Sequence, residues 1–202
     1  MNEPQLSYKD ACCVFHLVID ELEHTIKQCI AKLEGDPNDR QKQAEIPFED
    51  FVPVSPIVPH IIWMLVTHSV TLLELYLPTI IDENLTKRGI DVHNASSSCN
   101  SGDVLQRTKC ILDQHGNREI KCDNQLHERL KALIRVRNDI VHNLGTRSKK
   151  TKDGHIETLP GIMLKGAAST FDISFYAVRY AIRDVEDYFV YVDKASQSSE
   201  NS

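Results

Sequence analysis

The sequence predicts an all-α chain folded as one domain, a bundle of about five helices with a polar loop or small hairpin inserted after the fourth. Three observations predict it. The chain has 202 residues and 41% hydrophobic content, enough for one core, so a single domain over 1–202 is the natural reading. Apolar residues recur every three or four positions along its longer segments, which is the helical period. Helix start and stop residues punctuate those segments, and no internal repeat interrupts them.

The first helix is expected from Tyr8 to Glu34, where Phe15, Val18, Leu22, Ile26, Cys29 and Leu33 share one face. Gly35, followed by Asp36-Pro37-Asn38, stops it, and an extended connector runs from Ile46 to Pro53. Ser55 reads as the cap of a second helix, with Pro56 and Pro59 in its first turn and Pro78 kinking or ending it. That helix is apolar on nearly every side (Ile61, Ile62, Trp63, Leu65, Val66, Leu72, Leu73, Leu75, Leu77), so it belongs at the centre of the core or between two subunits. Residues Lys87 to Gly102, with the run Asn94-Ala95-Ser96-Ser97-Ser98, read as a loop. Asp103 caps a short third helix through Leu112, and Asp123 or Asn124 caps a fourth that ends near Asn143, before Gly145. Arg147 to Gly166 is the polar insert. A last helix is expected from Asp172 to Asp193, giving a core of about 8–193 and a disordered tail of about 195–202.

The apolar stretch Ile57 to Ile81 raises the membrane question, but Pro59, His60, His68, Glu74 and Pro78 are costly in lipid, so a buried helix and no membrane partner are expected. No basic head precedes a short apolar run at the N-terminus. The cysteines Cys12, Cys13, Cys29, Cys99, Cys110 and Cys122 show neither disulfide-framework nor metal-clip spacing. Reduced thiols and a cytoplasmic location are the matching expectations. The net charge of −6 argues against indiscriminate coating of nucleic acid. Yet Arg129 to Lys152 holds eight basic residues and one acid, Asp139, a basic island that suits a local anionic ligand.

The fourth helix carries the chemistry. At about 100° per residue, Leu126, Leu130, Leu133, Ile140 and Leu144 form an apolar stripe flanked by Ile134 and Val141, and Arg137 falls in its middle. A guanidinium there needs a partner. An ordinary ion pair with a glutamate from another helix is one answer, and a bound anion is the other. Lys131, Arg135, Asn138 and His142 line the neighbouring face, and Asn138 and His142, four apart, can meet one ligand. Arg137 and His142 are five apart, about 140° around the axis. Either the long arginine reaches round, or a second subunit supplies it.

The string Val136-Arg137-Asn138-Asp139-Ile140-Val141-His142-Asn143, with Gly145 after it, resembles the signature of the HEPN superfamily (higher eukaryotes and prokaryotes nucleotide-binding). That signature is an arginine, usually a polar residue next, then a histidine at the end of a helix. The element order is also similar, including an internal glutamate in Leu72-Leu73-Glu74-Leu75. The resemblance spans roughly Lys9 to Val192 and is sharp over Val136 to Gly145. It implies a HEPN-like helical fold and a metal-independent endoribonuclease without cofactor, in which Arg137 and His142 are the catalytic pair and Asn138 their polar neighbour. It further implies a homodimer whose motif helices line one cleft, with Lys131, Arg135 and Arg147 binding RNA (tRNA, mRNA or rRNA). Such domains serve as toxins or anti-phage effectors, some with an antitoxin. The variant with a tyrosine two positions after the histidine is not matched, since Leu144 stands there. The alternative implied by the same resemblance is a non-catalytic RNA- or nucleotide-binding or protein-interaction module. No metal-ligand spacing, glycine-rich phosphate loop or serine elbow is present.

Overall fold

Helix α2 (Val54–Lys87) carries apolar side chains around most of its circumference, so the rest of the chain must enclose it. The structure, a computed structural model, describes residues 7–34, 54–149, 151–166 and 169–197. Helix α1 (Tyr8–Glu34) precedes α2. After it come α3 (Val92–Ser98), α4 (Val104–His115), α5 (Asn124–Asn143) and α6 (Asp153–Ile156), then strands β1 (Ile162–Lys165) and β2 (Thr170–Ile173), and finally α7 (Phe175–Ser196). Most of the described residues are helical, so the predominantly helical expectation holds. The insert after α5 contains a hairpin, with β1 and β2 antiparallel and Ile162 opposite Ile173.

Helix α2 packs chiefly on α7, and also on α1, α4 and α5. Leu65, Val66, Val70, Leu73 and Leu77 of α2 join Val178, Ile182, Val185, Phe189 and Val192 of α7 in one buried cluster, to which α5 adds Leu126, Leu130 and Leu133. The same enclosure shelters polar ties. Buried Asn84 donates through Nδ2 to Asp193 Oδ1 at 3.0 Å and to Ser196 Oγ at 2.7 Å, fixing the end of α2 to the end of α7. Among the described residues, Val58–Lys87 is the one stretch long and apolar enough to cross a membrane, and half of its most apolar window is buried inside the bundle.

Several boundaries differ from the sequence expectation, each for a local reason. Helix α2 begins at Val54 rather than after a Ser55 cap, and it continues nine residues past Pro78. Pro78 sits on the exposed side, where the Glu74 carbonyl it leaves without a donor can meet water. Ile80, Ile81 and Leu85 hold the next turns in the core. The serine-rich run is helix α3, because Asp91 accepts the His93 and Asn94 N–H groups at 2.9 and 3.3 Å and Ala95 is buried. Helix α7 starts at Phe175, capped by Ser174, since buried Phe171 and Ile173 alternate with outward residues and commit 170–173 to a strand. Its far end runs through buried Ala195 and Ser196, where a disordered tail was expected. The Gly35 stop, the connector 46–53 and the tail 198–202 lie outside the described residues.

The cysteine reading is also corrected. Cys99, just after α3, and Cys110, on α4, form a disulfide with Cα atoms 5.7 Å apart. Their separation of 11 residues is spanned by a chain that doubles back between two short helices, a proximity spacing alone does not reveal. The thiol argument for a reducing compartment falls with it. A crosslink over a loop this short restricts the unfolded chain by about 2–3 kcal/mol. Cys110→Ser should lower unfolding stability by that amount in urea titrations, and reductant should then have no further effect. Equal midpoints for oxidised and reduced protein would refute the bond's contribution.

Candidate functional site

Helix α5 presents the motif, and both its ends are fixed. Asp123 caps the start by accepting the Gln125 N–H at 2.9 Å. At the other end Leu144 enters the left-handed region at φ 49° and Gly145 follows at 75°. The N–H groups of both return to the Asp139 carbonyl. The chain then runs beside β2, with Phe171 N–H donating to Gly145 O at 2.9 Å and Arg147 N–H to Ser169 O at 3.1 Å. A Cβ built on Gly145 would meet the Trp63 ring at 2.3 Å, so the indole from α2 lies directly on the bare backbone behind the motif.

Asp139, inside the motif, is 3% exposed. Its carboxylate accepts Asn143 Nδ2 at 3.0 Å, the Ser148 N–H at 3.1 Å, and the Thr151 side chain. Burial works against the charge, but the bonds from Thr151, Ser148 and Asn143 outweigh it and hold the carboxyl below its ordinary value. One carboxylate thus ties the loop after α5 back onto the helix. A depressed pKa means stability that is complete above the ordinary aspartate pKa of about 3.9 and is lost as pH falls through the lower folded value. Asp139→Asn should therefore cost about 2–4 kcal/mol at neutral pH, with the gap to wild type closing at pH 3. Thermal unfolding of both proteins at the two pH values checks this, and a gap unchanged with pH would refute the charge's role.

Arg137 turns toward α2, where its Nη2 donates to Glu74. The arginine side chain is 17% exposed and the glutamate 47%. Among the described residues Arg137 Nε is buried without a partner, as is Trp63 Nε1. Asn138 and His142 stand exposed one turn apart on the solvent side. The structure therefore brings Arg137 to Glu74 and leaves Asn138 and His142 open to solvent on the same helix.

The remaining cations are more occupied than the sequence suggests. Lys131 pairs with Glu128 at 2.9 Å, Arg147 with Asp153, and Arg129 with Asp184 through two bonds of 2.8 Å. With Arg137–Glu74, four cations of the basic island are met by acids from outside it, so its spatial charge is well below its charge along the chain. Arg135 contacts the His155 ring of α6. Burial first, then Arg135 and Lys152, lower the His155 pKa and favour its neutral form. Val141 and Leu144, expected on the apolar stripe, are 49% and 82% exposed, because the stripe has passed off the core by the last turn.

Sequence reasoning missed His155, which lies in a polar insert without periodicity, and the structural role of Asp139. The one available signal for Asp139 was its isolation as the only acid in a basic run. Among the described residues no three of His, Cys, Asp or Glu converge as a metal-binding group. No protein-family model, no curated protein and no solved structure matches the chain.

Proposed function

We propose that this chain is a metal-independent endoribonuclease domain of the HEPN type, acting as a homodimer. The observation that carries it is the half-matched guanidinium of Arg137, on the helix that also exposes Asn138 and His142. A guanidinium with five N–H donors is held through one Nη to a half-exposed carboxylate, and its Nε is unmatched. On the same helix the Asn138 amide and the His142 imidazole face solvent. Those groups suit a phosphodiester whose nucleophile is already present in the substrate.

His142 takes the proton from the RNA 2′-OH. The 2′-oxygen attacks the adjacent phosphorus, the bond to the 5′-oxygen breaks, and the leaving oxygen gains a proton. The products are a 2′,3′-cyclic phosphate and a 5′-hydroxyl. Arg137 holds the phosphate oxygens as charge grows on them, Asn138 orients the substrate, and Lys131, Arg135 and Arg147 steer the backbone. Exposed Leu75, next to Glu74 in the chain, and exposed Val141 and Leu144, four and seven residues after Arg137, supply apolar area for a second copy of the same helix. A toxin or anti-phage role, with or without an antitoxin, follows from the same reading.

A non-catalytic RNA-binding module is the second reading, favoured by one observation: Arg137 already has Glu74 as its counter-ion. Incubation of the pure protein with total RNA and a chelator separates the two. Fragments ending in cyclic phosphate support cleavage, whereas a mobility shift with intact RNA supports the binder.

A further inference from the structure

A cleft of about 540 Å³ lies between α4, the 116–123 loop, the start of α5 and α7, away from the motif. His127 lines it at the first turn of α5, fifteen residues before His142, which at 1.5 Å per residue is about 22 Å along the axis. Its floor is a run of rings. His127 and Tyr188 have centroids 6.1 Å apart, and Tyr188 and Tyr191 are 5.5 Å apart. Its rim carries the exposed cations Lys109, Arg118 and Lys121, against the single lining acid Asp113. Among the described residues no ion pair neutralises those three cations, in contrast to the paired cations around the motif.

We infer that this cleft is a binding site for a nucleoside phosphate, separate from the Arg137–His142 site. A flat base suits the half-buried Tyr191 ring, which packs on the core residue Tyr188 behind it. Three cations lining one cleft suit a phosphate, Lys109 from α4 and Arg118 and Lys121 from the 116–123 loop. The volume lies within the range of small-molecule sites. The cationic field reaches the floor: burial, then Lys131 and Lys109, lower the His127 pKa, which Glu128 and Asp103 oppose. A neutral imidazole there offers one donor and one acceptor to a base or ribose. Asp113 stands where a sugar hydroxyl could donate to it and would repel a ligand with no hydroxyl to offer.

Calorimetric titration of the full chain with AMP, adenosine and inorganic phosphate tests the assignment. AMP should bind at least about tenfold more tightly than adenosine or phosphate alone. The double variant Lys109→Glu/Lys121→Glu should weaken AMP by at least about tenfold at an unchanged melting temperature, since both side chains are exposed. Arg118→Glu should act in the same direction and serves if the double variant melts early. Arg137→Ala should leave AMP affinity unchanged, and the lysine variants should leave RNA cleavage unchanged, so the two sites fail independently. No AMP binding at millimolar concentration, phosphate binding as tight as AMP, or AMP affinity lost with Arg137→Ala and kept in the lysine variants would each overturn it.

Discussion

His142→Ala is expected to slow RNA cleavage by about 10²–10⁴-fold, the usual worth of a positioned general acid or base, at an unchanged melting temperature. The side chain is exposed, and no ion pair holds it among the described residues, so its removal costs the fold less than about 0.5 kcal/mol. Arg137→Ala should cost a comparable factor in rate, but for a different reason and with a structural signature. Its stem is mostly covered and its head pairs with Glu74, so stability should also fall, by about 1–2 kcal/mol. Arg137→Lys should restore much of the stability and little of the rate, because an ammonium cannot hold two phosphate oxygens in a planar fork. Single-turnover cleavage of a short labelled RNA, with melting curves on the same samples, checks all three. Cleavage by His142→Ala at the wild-type rate would exclude the imidazole from the chemistry.

Gly145→Ala should lower stability by about 2–4 kcal/mol. Two costs coincide at this position. The backbone is at φ 75°, where a side chain is strained, and the new methyl would sit 2.3–2.8 Å from three carbons of the Trp63 ring. The indole is anchored in the central helix, so it cannot yield like the tip of a lysine. At this chain length each kcal/mol is worth about 2–4 °C in melting temperature, so a fall of roughly 4–16 °C is expected. Because Gly145 O also accepts the Phe171 N–H, the hairpin should loosen from α5, and the Trp63 fluorescence should shift as its packing changes. A variant as stable as wild type would mean that the indole does not pack on this backbone.

What could be read in the sequence divides by the range of the forces involved. The bounds of α1 and α5 follow from a 3.6-residue apolar period and short-range caps, and Asp103 and Asp123 cap as their side-chain chemistry predicts. Pro78 misled because proline propensity is local, while the burial of Ile80, Ile81 and Leu85 that carries α2 onward comes from other helices. The serine-rich α3 and the Cys99–Cys110 bond depend on each other in the same way. At the site, the residue types and their spacing were legible. The partner of Arg137 was not, since Glu74 is 63 residues away and only the packing of α2 on α5 selects it. Asp139 shows the same limit. Along the chain it is one acid among many bases, and only the returning loop makes it a buried, triply bonded anchor.

Mixing two inactive variants tests the shared site most directly. If the guanidinium of one subunit and the imidazole of the other grip one phosphodiester, Arg137→Ala and His142→Ala homodimers, once unfolded together and refolded, yield mixed dimers with one intact pair. Cleavage should then return to about a quarter of the wild-type rate, since half the dimers are mixed and each has one of two sites. Well-folded mixed dimers that leave RNA uncut would contradict the claim that facing α5 helices build the site.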